Sequence, residues 1–240
     1  MKLALVTGGS GGIGAAICRA LAAKGCRVFV HANRNLPQAE TITAEIVATG
    51  GSARAVAFDV TDREATRTAL ETLLNEEGPI QILVNNAGIH IDAVFPGMNG
   101  EQWDSVINVS LNGFFNVTQP LTMPMMRTRW GRIINISSVA AIAGNRGQVN
   151  YSAAKGALHS ATKSLAIELA SRGVTVNAVA PGIISTGMIE GSFDAAAINN
   201  LVPMKRAGRP EEVADLVAFL ASDQAAYISG QIISINGAMA

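Results

Sequence analysis

Leu3-Ala-Leu-Val6 runs directly into Thr7-Gly-Gly-Ser-Gly-Gly-Ile-Gly14 and then into Ala15-Ala-Ile-Cys-Arg-Ala-Leu-Ala22. A short apolar run, a glycine-rich turn and an amphipathic run predict strand, turn and helix in that order. No other stretch restricts the fold as tightly. Glycines let a backbone come close to a phosphate, and a helix N-terminus offers free N–H groups with a partial positive charge. The segment therefore reads as a dinucleotide-binding fingerprint, with Gly8, Ser10, Gly11, Gly12, Ile13 and Gly14 as candidate cofactor contacts. Its spacing, Thr-Gly-x-x-x-Gly-x-Gly, is wider than the usual Gly-x-Gly-x-x-Gly.

The rest of the chain repeats the alternation. Strands are predicted over 27–31, 54–58, 81–84, 133–136, 174–179 and 231–235. Helices are predicted over 38–49 (closed by Gly50-Gly51), from Asp62 through Leu73-Leu74, from about Glu101 to Met123, over 150–171 and from Pro210 to Leu220. Pro120 and Pro124 are expected to kink the fourth helix or end it early. Residues 183–208, with Gly187, Gly191 and Pro203, read as irregular with helical patches. There is no internal repeat and no linker. The pattern implies an α/β fold: one Rossmann-type, doubly wound domain over residues 1–240 with a parallel sheet of about seven strands. In such sheets ligands bind beyond the carboxyl ends of the strands.

Those ends collect the notable residues. The strand ending at His31 is followed by Ala32, Asn33 and Arg34, with no acid. A carboxylate there would accept from ribose hydroxyls, whereas an arginine fork suits a 2′-phosphate, so the cofactor is read as NADP(H). Asp59, followed by Val60, is placed to meet an adenine amino group. Asn85-Asn86-Ala87-Gly88 can tie strand ends together and leave room for a flat ring. Ser137-Ser138 and Pro181-Gly182 end the next two strands.

Tyr151 and Lys155 are four residues apart on a predicted helix, so they share a face. An ammonium beside a phenol favours the ionised phenol, and the Tyr151 pKa is expected to fall from about 10 toward the range of a working acid or base. Ser138 could return to bond whatever that phenol protonates.

Net charge is zero, from 18 basic and 18 acidic residues, so neither nucleic acid nor a membrane surface is indicated as a partner. The two cysteines, Cys18 and Cys26, make neither a disulfide framework nor a metal site, and a reducing, cytoplasmic setting fits. The apolar run before Thr7 is too short for a signal-peptide core, and no run approaches a membrane span. Only 15% of residues are charged, which suggests surface hidden in an oligomer.

Taken in order, Thr7-Gly-x-x-x-Gly-x-Gly14, Asn85-Asn-Ala-Gly88, Ser138, Tyr151-x-x-x-Lys155 and Pro181-Gly-x-x-x-Thr186 resemble the short-chain dehydrogenase/reductase family over the whole chain. Within it the wording is most similar to the β-ketoacyl-acyl-carrier-protein reductases. The resemblance implies that Tyr151 protonates a carbonyl oxygen while NADPH delivers hydride, with Lys155 holding the nicotinamide ribose. It implies further that Ser138 positions the substrate oxygen, and that Thr186 and the backbone of Ile184 hold the carboxamide. A homotetramer is also implied, with contacts through the Tyr151 helix. Arg129 and Arg172 match positions that dock the acidic acyl-carrier protein; both are also ordinary helix-end cations.

Two departures stand out. Where the family places an Asn seven residues after the tryptophan, as part of a proton relay to the Lys, this chain has Ser110. The flanking Asn108 and Asn112 lie about 200° away on a regular helix. Gly11 stands where these reductases often carry an Arg, which leaves more of the NADP preference to Arg34. The sequence thus points to reduction of a 3-oxoacyl thioester on a carrier protein. Reduction of a CoA thioester or another ketone, and a non-catalytic nucleotide-binding subunit, remain open alternatives.

Overall fold

Seven strands, all parallel, form one sheet in the order β3-β2-β1-β4-β5-β6-β7 in a computed structural model that describes residues 1–186 and 195–240. They are β1 (Leu3–Val6), β2 (Arg27–Ala32), β3 (Ser52–Ala57), β4 (Ile82–Asn85), β5 (Gly131–Ile136), β6 (Val174–Pro181) and β7 (Ile232–Ile235). The strand order reverses between β1 and β4, whose Val6 and Val84 lie side by side. A crevice must open at that switch point.

Helices cover both faces, as a parallel sheet requires. On one side α1 (Gly12–Ala23), α2 (Leu36–Ala48) and α9 (Pro210–Leu220) pack against Ala4, Val6, Val28, Val30, Ile82 and Val84. On the other, α3 (Arg63–Glu77), α5 (Gly113–Thr128) and α7 (Val149–Leu169) pack against Leu3, Leu5, Phe29, Leu83 and Ile133. Successive strand residues enter opposite clusters, the period-two signature of a strand buried on both faces. Caps set the helix starts. Asn35 and Asp62 accept from the backbone N–H of Gln38 and Ala65, so α2 begins two residues before its predicted start and α3 begins just after Asp62.

The fourth predicted helix differs most. It starts with α4 (Gly100–Ile107), opened by a reciprocal Asn99–Gln102 capping box, and passes through a π-helical turn over Asn108–Asn112. It then continues as α5 to Thr128, past Met123, with Pro120 and Pro124 inside it. An interior proline costs about 3 kcal/mol. Val117, Leu121 and Met125 are fully buried along this helix, and burying such side chains contributes about 1.5–3 kcal/mol each. Packing therefore carries the helix through both prolines.

The loop after β5 contains a short helix, α6 (Ala140–Ala143), and α8 (Ala195–Leu201) lies within the region read as irregular. Gly187 and Gly191, named in that reading, lie outside the described residues.

Candidate active site

Along the strand ends the geometry begins with the glycine turn. Gly8 adopts a φ of 63°, which an L side chain rarely tolerates. Helix α1 begins at Gly12 with Gly11 at its N-cap and no side chain bonded to its first-turn amides. Those N–H groups are left for an anion. A Cβ on Gly14 would stand 2.2 Å from the Gly8 carbonyl oxygen and 2.7 Å from Asn86 Nδ2, so helix and turn touch backbone to backbone. The cradle suits a pyrophosphate.

Asn86 fixes the turn to β4: its Nδ2 donates to the carbonyls of Thr7 (2.9 Å) and Gly8 (3.0 Å). Thr7 Oγ1 accepts from the N–H groups of Asn86 and Ala87, both at 3.0 Å. Asn85 ties deeper elements, donating to Thr118 (3.0 Å) and to Asn135 (2.9 Å), which in turn donates to Thr162 (2.8 Å).

On the β2 side, Asn33 and Arg34 are exposed and face Asp59. Burial pushes the Asp59 carboxyl up, but hydrogen bonds from the Thr61 N–H (2.9 Å) and hydroxyl (2.8 Å), the nearby Asn33 amide and the charge of Arg34 outweigh it and hold the group below its usual value. Val60, buried beside it, accepts from Asn116 Nδ2 at 2.9 Å. His31 was read only as a strand residue. In fact its Nδ1 accepts from Gly8 N–H (3.1 Å) and its Nε2 meets the Phe58 carbonyl (2.9 Å), which makes it a buried brace under the turn.

At the end of β5, Ser138 Oγ accepts from Ala140 N–H (3.1 Å), and the serine hydroxyl lies near enough to the Tyr151 phenol to influence its titration. Lys155 is buried, with Nζ donating to the Ile136 carbonyl at 2.9 Å and standing 5.8 Å from the centre of the Tyr151 ring. Burial lowers the Lys155 pKa to about 8. The expectation of a depressed Tyr151 pKa is not met. Burial raises it; the nearby Ser138 hydroxyl opposes this, and the Asp92 carboxylate adds to the rise. Desolvation wins because the ammonium is turned to a carbonyl and not to the phenol.

Ser110 is buried inside the π-turn, and its Oγ has no hydrogen-bond partner. A Cβ on Gly88 would lie 3.0 Å from Lys155 Nζ and 3.7 Å from Ser110 Oγ, so both side chains face that point. A void of about 10 Å³ lies beside Ser110, lined also by Thr7, Asn85 and Leu158. Asn108 and Asn112 are exposed and bond each other at 2.7 Å. Neither replaces Ser110.

At the end of β6, Gly182 packs so closely that a Cβ would lie 2.8 Å from Asn236 Cα. Ile184 pairs with Gly208, and the Thr186 side chain reaches the glycine turn, 2.9 Å from where a Gly12 Cβ would be. Arg129 and Arg172 stand elsewhere. They flank the start of β5 and β6, where Arg129 donates to the Ser171 carbonyl at 3.3 Å, at the opposite end of the sheet from Ser138.

Asn150, Gln148, Asp92 and His159 around the site were not singled out from sequence, whereas Ser137 was noted at its strand end. Asn150 is fully buried and donates to the carbonyls of Ile91 and Gln102, both at 3.0 Å. Gln148 Nε2 donates to both Asp92 oxygens at 3.0 Å. Ser137 Oγ donates to the Lys155 carbonyl at 3.1 Å and meets His159 Nε2 at 2.7 Å, pinning α7 to β5. The His-x-Asp spacing just after Gly88-Ile89 was the one local signal. Among the described residues no group of three His, Cys, Asp or Glu could hold a metal, and no helix is long and apolar enough to cross a membrane.

Sheet order, glycine cradle and the Ser138–Tyr151–Lys155 cluster belong together in one family. The short chain dehydrogenase model matches residues 2–197, and the chain belongs to that family, whose members use a nicotinamide cofactor. Among its relatives, the 3-oxoacyl-[acyl-carrier-protein] reductase of Synechocystis is 47% identical over 99% of this chain and 96% of its own. Nodulation protein G of Azospirillum brasilense is 46% identical over 99% and 98%. The 3-oxoacyl-[acyl-carrier-protein] reductase FabG of Staphylococcus aureus is 44% identical over 99% and 98%.

Proposed function

We propose that this protein reduces a 3-oxoacyl thioester, carried on acyl-carrier protein, to the 3-hydroxyacyl thioester at the expense of NADPH. The carrying observation is a buried Lys155, with Tyr151 one turn away on the same helix and Ser138 beside its phenol, at the strand ends that also hold the glycine cradle. The full-length likeness to reductases of that name supports the substrate class.

Bound NADPH supplies hydride to the carbonyl carbon. The first-turn amides of α1 hold the pyrophosphate, Asp59 takes the adenine and Arg34 takes the 2′-phosphate. Lys155, Ile184 and Thr186 take the ribose and carboxamide. Ser138 holds the substrate oxygen and Tyr151 gives it a proton. A phenol kept protonated by burial and by Asp92 suits this direction, because reduction consumes the proton. Arg129 and Arg172 offer the acidic carrier a cationic surface. Being at the far end of the sheet, they would serve the active site of a neighbouring protomer in a tetramer. The test is NADPH consumption with carrier-bound and CoA-bound 3-oxoacyl chains. Faster turnover of the carrier-bound chain is expected, and no consumption with either would refute the reading.

Arg34→Asp is expected to shift preference from NADPH toward NADH, since it removes a phosphate donor and sets a second carboxylate beside Asp59. The ratio of kcat/KM for the two cofactors measures it; an unchanged ratio means the 2′-phosphate is read elsewhere.

Ser110→Asn gives the unpartnered buried position an amide that can reach toward Lys155. A modest gain in kcat, within about tenfold and clearest at alkaline pH, is expected if proton supply on that side limits turnover. A flat pH–rate comparison with the wild type would show that the side chain is irrelevant.

A further inference from the structure

Three consecutive residues at the end of β5 and just past it address the two site residues of α7. The Ile136 carbonyl takes the Lys155 Nζ bond at 2.9 Å, the Ser137 hydroxyl donates to the Lys155 backbone carbonyl at 3.1 Å, and Ser138 lies beside the Tyr151 phenol. Lys155 is thus held twice, by its ammonium and by its backbone. Ser137 and Lys155 are each only 3% exposed, so bulk water hardly competes for either bond.

Ser137 does not act alone. His159 stands one helical turn beyond Lys155 on the same face of α7, and its Nε2 is 2.7 Å from Ser137 Oγ. A hydroxyl has one proton to give. That proton goes to the Lys155 carbonyl, so Oγ accepts from the imidazole and the proton of the neutral ring sits on Nε2. The bonds run in one direction, from His159 Nε2–H to Ser137 Oγ–H to the Lys155 carbonyl. Burial and the charge of Lys163 keep the His159 pKa below its usual value, so near neutral pH the ring donates without bringing a second positive charge toward Lys155. A similar contact lies deeper, where Asn135 Nδ2 donates to Thr162 Oγ1 at 2.8 Å. That bond fastens α7 along β5, whereas the Ser137 bond reaches a residue of the site itself.

We propose that Ser137 and His159 are positioning residues for Lys155. The imidazole N–H commits the Ser137 hydroxyl to the Lys155 carbonyl, and the ammonium is thereby held in register with Tyr151 and the cofactor ribose. Both side chains act through Lys155 and neither takes part in the chemistry. This rests on the reductase reading above and adds the pair that sets its lysine.

Steady-state NADPH oxidation with a 3-oxoacyl thioester tests it, in Ser137→Ala, His159→Leu, His159→Gln and the double variant Ser137→Ala/His159→Leu, alongside thermal melts. Leucine keeps bulk without a donor. Glutamine sets an amide N–H the same number of bonds from Cβ as imidazole Nε2. A small misplacement of a site group is costly, so Ser137→Ala should lower kcat by about tenfold and His159→Leu by about threefold or more, with KM for the thioester within about twofold of the wild type. His159→Gln should recover kcat to within about twofold of the wild type. The double variant should be no slower than Ser137→Ala, because His159 acts only through Ser137. Wild-type kcat in Ser137→Ala, whatever its melting temperature, would overturn the proposal and leave the pair as a fastening of helix to sheet. So would glutamine as slow as leucine, a double variant slowed by the product of the two single effects, or a rise in KM alone. If Ser137→Ala does not fold, the half-buried His159 variants decide the question between them. A wild type without reductase activity would instead refute the parent reading.

Discussion

Tyr151→Phe is expected to lower turnover by roughly 10²-fold or more while NADPH binding and fold persist. The change removes only the phenol oxygen. The ring stays wedged at the start of α7, where Asn150 Oδ1 accepts from the Tyr151 backbone N–H at 2.8 Å, a contact the substitution leaves intact. Lys155 keeps its bond to the Ile136 carbonyl. The lost group is the proton donor, and a raised pKa keeps that donor loaded across the neutral range. Steady-state rates with NADPH titrated by fluorescence decide the matter. Near-normal turnover would sink the mechanism; lost NADPH affinity would mean that the phenol mainly holds cofactor.

The parallel sheet was legible because most of its strands are apolar runs closed by glycine, proline or small polar residues, and local chemistry is enough to place those ends. The same holds for Asn85 and Asn86, whose side chains do tie strand ends. What escaped depends on contacts remote in sequence. Asp92 is held by Gln148, 56 residues away, and nothing near His90 announces Tyr151 as its neighbour. The π-turn at Asn108–Asn112 was not read from the sequence, because a single i→i+5 turn inside a helix carries no residue signature of its own. The direction of the Tyr151 shift depended on where Lys155 Nζ points. A four-residue spacing puts two side chains on one face but does not say that one of them donates to Ile136.

Gly14→Ala should be the most damaging change in the cofactor cradle. The added methyl would stand 2.2 Å from the Gly8 carbonyl oxygen, a backbone atom that Asn86 Nδ2 also holds at 3.0 Å. Relief requires α1 to lift away from the turn, which moves the first-turn amides off the phosphate. Overpacking of this kind typically costs about 1–3 kcal/mol, so NADPH should bind roughly 10- to 10²-fold more weakly. Gly11→Ala is the matching control. A Cβ there meets nothing within 4 Å, and the backbone, with φ at −116°, already suits an L residue. Its Kd for NADPH should stay within about twofold of the wild type, because a side chain with no steric conflict changes stability little. Circular dichroism melts of both variants show whether the sheet survives. Equal affinity in Gly14→Ala and the wild type would mean that the turn yields without moving the helix, and the cradle would then not depend on that backbone contact.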